Sequence, residues 1–161
     1  MTICLRFVAG TSLVSKAIIA QEKTAMPLTP SHVEAKIETK DGIGYIGSHL
    51  NGGVQWRPID YDKGQFSSEL ILDIVASDSQ TKIFNDYIIS KIGTKYDWEA
   101  IFGFIIPEHF HMKDHEICSA LCTLGLRKSN WLQWPVAAPA HLVSPRDLLL
   151  MASAIMQVPG I

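Results

Sequence analysis

A chain of 161 residues with an apolar share of 47% and a net charge of −2 can bury roughly 70% of its unfolded surface. It therefore needs no disulfide staples, and its length predicts one domain spanning residues 1–161. The near-neutral charge, with a pI of about 6.3, offers no electrostatic footprint for nucleic acid or an anionic membrane.

Three cysteines are too few, and odd in number, for a secreted disulfide framework. They predict free thiols in a reducing compartment. The start, "MTICLRFVAG", carries its one basic residue, Arg6, inside the apolar run, which makes a poor export signal. No apolar stretch reaches the roughly 18 residues of a membrane span. A cytoplasmic protein without stable membrane insertion is expected.

The predicted elements run as follows. "TICLRFV" (2–8) is a strand. "SLVSKAIIAQE" (12–22) has apolar residues on one helical face, with Ser12 as the N-cap. Residues 23–30 form a loop with two prolines. "SHVEAKIET" (31–39) alternates with period two and is a strand. "KDG" (40–42) is a hairpin turn, and 43–48 is the return strand. With Lys40-Asp41 as a two-residue turn, paired residue numbers add to about 81. Glu34 then faces Gly47, and His32 faces His49.

Residues 50–61 turn and give a third short strand, and 68–76 is another. A helix over 77–93 is capped by Ser79 or Asp78, buries Ile83, Tyr87, Ile88 and Ile92, and stops at Gly93. Residues 94–106 are a partly helical segment, and 107–116 a polar, histidine-rich loop. "CSALCTLGLRK" (118–128) is helical in period. Residues 130–141 are a Pro-rich loop. A last helix over 144–156 has Ser144 at its N-cap and Pro145 in its first turn. Strand, helix, a block of strands and then helices make an α+β fold with an antiparallel sheet.

"DHEICSALCTLGL" (114–126) places two of the three cysteines four residues apart. Cys118 sits at a helix start, where partial positive charge and unpaired N–H groups stabilise a thiolate and can hold an oxyanion. Local sequence alone leaves it either a nucleophile or a buried thiol. Cys122, one turn deeper on an apolar face, reads as packing. His32 is the candidate base, and Glu34 points to the same strand face and could orient it. A merely solvated histidine is the other reading. Tyr96 in "KYDW" could assist an oxyanion or simply pack its ring.

His109, His111, His115 and Cys118 are zinc-type ligands, but their spacing fits no trusted zinc pattern, so no metal and no cofactor are expected. Trp56, Trp131 and Trp134 could wall a substrate groove or close a core edge.

Several stretches, in order, resemble the circularly permuted papain-like cysteine hydrolases, the YiiX-type relatives of the NlpC-type cell-wall hydrolases. They are "LRFVAGTSLVSKAI", "SHVEAKI", "YIGSHLNGGVQWRP", "KIGTKYDWEAIFGFI", "EICSALC" and "SPRDLL". The match runs from about residue 3 to about residue 150, with histidine before cysteine as a permuted member shows. The resemblance implies a papain-like α+β fold, a small antiparallel sheet or open barrel packed against helices. It implies Cys118 as nucleophile and His32 as general base, with a cleft between them. The substrate would be a small peptide or acyl compound, including cell-wall peptides, in a bacterial or phage setting.

The family usually carries a polar residue, often glutamate, where Gly47 stands. Glu34, leaning into the space at Gly47, is the expected third member, and His49 the second candidate. The departure keeps open an inactive relative acting as a binding or assembly module. Acyl transfer on the same scaffold is a further reading.

Overall fold

The computed structural model describes residues 1–11, 15–16, 29–49, 51–96, 115–116, 118–133 and 139–156. Five strands form one antiparallel sheet: β1 (Thr2–Gly10), β2 (His32–Thr39), β3 (Gly42–His49), β4 (Gly53–Pro58) and β5 (Phe66–Val75), in the order β4-β3-β2-β1-β5. A second, parallel pair joins β6 (Lys95–Tyr96) to β7 (His115–Glu116). The longer helices among the described residues are α1 (Asp78–Ser90), α2 (Cys118–Lys128) and α3 (Pro145–Met156), with a 3-10 turn at Ala140–Leu142. The architecture is α+β, as the element order implies.

Strand alternation sorts the sheet into two unlike faces. Ile3, Leu5, Phe7, Val33, Ala35, Ile37, Ile46, Val54 and Ile74 are buried in one core with α1, α2 and α3. The other face carries Arg6, His32, Glu34, Tyr45, Gly47 and His49, because antiparallel partners share a face. Arg6 pairs with Glu34, Val8 with His32, and Lys36 with Tyr45. The β2–β3 ladder runs from Ala35–Ile46 to Thr39–Gly42, and its partner numbers add to 81 as the two-residue turn requires.

The cap of α1 lies one residue before Asp78 and two before Ser79, the expected caps. Ser77 is the N-cap, in a capping box with Gln80: the Gln80 N–H donates to Ser77 Oγ, and the Ser77 N–H donates to Gln80 Oε1. Its buried face is Thr81, Phe84 and Ile88, whereas Ile83 and Ile92 are exposed. The stripe is rotated from the expected one because Phe84 packs against Gly125 of α2. A Cβ at Gly125 would lie 2.9 Å from the Phe84 ring. α3 keeps the expected start, with Ser144 Oγ accepting from the Asp147 N–H at 3.1 Å.

The described start of the segment expected to be partly helical, Lys95–Tyr96, is a strand, and so is His115–Glu116 at the end of the expected loop. Their backbones satisfy each other, which local periodicity does not register. Residues 97–106 lie outside the described residues. So do His109, His111, Trp134 and most of the expected 12–22 helix, of which Ser15 and Lys16 are helical. Among the described residues, no helix is long and apolar enough to cross a membrane, which says nothing of a β-barrel.

Candidate active site

α2 packs across β2 and β3. This brings its first residue, Cys118, to the His32 end of β2, where the thiol and the imidazole act on each other as charge partners. Cys118 is buried, and the nearby backbone N–H groups of Val33 and Ser119 favour its thiolate. Burial works to raise its pKa, but the His32 charge and these donors outweigh it and hold the thiol below its ordinary value. Burial works to lower His32, but the Cys118 thiolate and the Glu34 carboxylate push it up to about 10. Both directions describe one thiolate–imidazolium pair.

Glu34 lies two residues along β2 on the histidine's face and is fully buried. Its Oε1 is 3.4 Å from His32 Nε2 and 3.2 Å from His49 Nε2. Tyr61 donates its hydroxyl to the same oxygen at 2.8 Å, and Arg6 donates to Oε2 at 3.0 Å. Burial would raise the carboxyl's pKa, but its imidazole partners hold it well below the usual carboxylate range. The space for this side chain is the missing one at Gly47: a Cβ there would lie 2.8 Å from Glu34 Cγ. Glu34 thus occupies the room that the hairpin register predicts.

Arg6 was read from the sequence only as a charge in the wrong place for an export signal. It is 1% exposed and is the centre of the polar face. Two of its nitrogens donate to the two oxygens of Asp62, at 2.9 and 3.0 Å, and its Nε donates to Glu69. Its guanidinium lies over the Tyr45 ring at 4.5 Å and the Phe66 ring at 4.9 Å. A charge inside an otherwise apolar strand was the available signal, since such a group is buried only with partners. Asp62 and Tyr61 come from the β4–β5 connection, and nothing in their local sequence points to Glu34.

His49 closes the cluster at the end of β3. Its ring is 5.1 Å from that of His32 and meets Tyr61 edge-on at 5.6 Å. Burial is the main cause that lowers its pKa. The Nε2 atoms of both histidines are buried and have no hydrogen-bond partner among the described residues, because neither approach to Glu34 has the direction a hydrogen bond requires.

Cys122 is fully buried, and burial raises its pKa well above the ordinary thiol value. Tyr96 lies on β6, but its side chain is outside the described residues. Trp131 donates its indole N–H to the Val75 carbonyl at 3.0 Å and packs on the core, as does Trp56. Both close a core edge.

The fold places the chain among α+β proteins of YiiX-like architecture. A solved structure of the metalloprotein YiiX from Escherichia coli O157:H7 (DUF1105) matches over 88% of this chain and 77% of that one. The TM-score is 0.61 and the sequence identity 14%. No protein-family model matches the chain, and no curated protein does.

Proposed function

We propose that the protein is a thiol hydrolase of permuted papain-like type, with Cys118 as nucleophile, His32 as acid and base, and Glu34 as the group that orients His32. The observation that carries this reading is the pairing of the Cys118 thiol with the His32 imidazole, at a helix start and backed by a buried carboxylate. The order of the two residues in the chain supports the permuted arrangement.

In the proposed reaction the thiolate attacks the carbonyl carbon of an amide, ester or thioester. A carbon–sulfur bond forms, and the oxyanion is held by the backbone N–H of Cys118. Collapse expels the leaving group, which takes the proton from His32. His32 then takes a proton from water, the hydroxide attacks the thioester, and Cys118 leaves as thiolate. Cell-wall peptides are the proposed substrates. Acyl transfer would differ only in that a second nucleophile replaces water.

Labelling with a thiol-directed acyl probe tests the reading. The wild type should be labelled and Cys118→Ala should not. Equal labelling of both overturns it. A folded wild type that takes no label supports the rival reading, a binding or assembly module.

The fold neighbour's description as a metalloprotein adds a second reading, in which His32, Glu34 and His49 hold an ion. The two unpartnered imidazole nitrogens favour it, and the donor set suits zinc.

A further inference from the structure

The polar face of the sheet contains a donor set that the thiol chemistry does not use up. His32 Nε2, His49 Nε2 and a Glu34 oxygen lie within 4.8 Å of one another. Both nitrogens are buried without a hydrogen-bond partner among the described residues. Two orphaned nitrogens aimed at one carboxylate oxygen are costly unless something joins them.

The spacing suits a common ion. Metal–ligand bonds of about 2.0–2.2 Å in a tetrahedral sphere set neighbouring donors about 3.4 Å apart. The two imidazole–carboxylate separations are 3.4 and 3.2 Å. The surroundings also resemble those of a built metal ligand. Arg6 and Tyr61 fix the Glu34 carboxylate. Glu34, Asp62 and Glu69 gather on the single guanidinium of Arg6, so carboxylates outnumber cations at the cluster's centre. Arg57, over the Tyr61 ring at 5.0 Å, is the opposing charge at the rim.

We propose that His32, Glu34 and His49 bind a zinc-class divalent ion, and that the ion and the proton-accepting role of His32 exclude each other. Two imidazoles and one carboxylate suit zinc or a neighbouring first-row ion rather than magnesium or calcium. An ion on Nε2 takes one lone pair of the neutral ring and confines its proton to Nδ1. His32 can then donate toward Cys118 but cannot accept its proton. The site would be a metal-controlled brake on thiol chemistry. Only the exclusion rests on the proposed hydrolase reading; the binding does not.

Calorimetric titration of the chelator-stripped full chain with zinc chloride, and absorption with cobalt(II), test the binding. One ion per chain is expected. Affinity should fall at least tenfold in His49→Ala and in His49→Asn, each checked for folding by circular dichroism, and should persist in Cys118→Ser. Cobalt should give visible bands of a nitrogen–oxygen site without a sulfur charge-transfer band. No zinc binding, equal affinity in folded His49 variants, equal affinity for magnesium, or a charge-transfer band lost in Cys118→Ser would each overturn the site. Zinc should also suppress acyl-probe labelling of the wild type, and undiminished labelling of the zinc-loaded chain overturns the exclusion. Binding without labelling in the stripped protein defeats the hydrolase reading alone; labelling without binding defeats this one alone.

Discussion

Gly47 and Glu34 show how one absent side chain positions another. The carboxylate occupies a volume that any Cβ at position 47 would invade, at 2.8 Å from Glu34 Cγ. Gly47→Ala should push Glu34 off His32 and Tyr61. The expected outcome is a fall of at least tenfold in acyl-probe labelling and a stability loss of about 1–3 kcal/mol from overpacking, read by urea unfolding. Labelling unchanged in the folded variant would show that the carboxylate's position is immaterial.

The thiols also separate by environment. Cys118 is held below its ordinary pKa by His32 and backbone donors, while burial is the main cause that pushes Cys4 up to about 12 and raises Cys122. In metal-stripped protein at about pH 6, iodoacetamide should modify Cys118 at least tenfold faster than the other two, because the thiolate is the nucleophile. Peptide mapping reads this directly. His32 has a raised pKa, so its proton is present at neutral pH and is lost as pH rises through about 10. Acyl turnover should fall across that alkaline window, although the thiolate persists there.

Among the elements, α1 and α2 meet where a helix residue has no side chain. Gly125 admits the Phe84 ring, and a Cβ would lie 2.9 Å from the ring and 3.2 Å from Ile88. Gly125→Ala gains up to about 1 kcal/mol of helix propensity but loses about 1–3 kcal/mol to overpacking. A lower urea midpoint is expected, and a higher one would show that Phe84 has room to move. The same contact explains why the buried face of α1 keeps Ile88 but excludes Ile83 and Ile92. Ile83 and Ile92 are as apolar as Ile88, and sequence periodicity ranks them together. Only the position of α2 selects Thr81, Phe84 and Ile88. Strands were easier, because alternation in 31–39 and a two-residue turn specify face and register at once.

Across the whole molecule, the sheet separates an apolar core from a buried charged layer, and Arg6 joins the strands on the charged side. Replacing Arg6 with methionine keeps the volume but strands Glu34 and Asp62 as buried charges, with an expected loss of about 3–5 kcal/mol. The low pKa of Glu34 has a further consequence. A carboxyl depressed on folding contributes stability above its unfolded value of about 4.3, and that contribution is lost as pH falls below it. Urea midpoints should drop from about pH 5 downward, and Glu34→Gln should flatten the drop. An equally steep acid dependence in Glu34→Gln would place the titrating carboxyl elsewhere.

The sequence by itself determined the five strands of the main sheet, the hairpin register and the helix starts at Cys118 and Ser144, because these depend on side-chain period, turn length and caps, all local. It also brought Glu34 to the face of His32. Tertiary structure alone decided that Cys118 meets His32, and that Arg6, Asp62 and Tyr61 gather on Glu34. It also left two imidazole nitrogens converging without a hydrogen-bond partner among the described residues. Those relations join residues from separate strands, a loop and a helix, and no local pattern encodes a distance between elements that packing alone brings together.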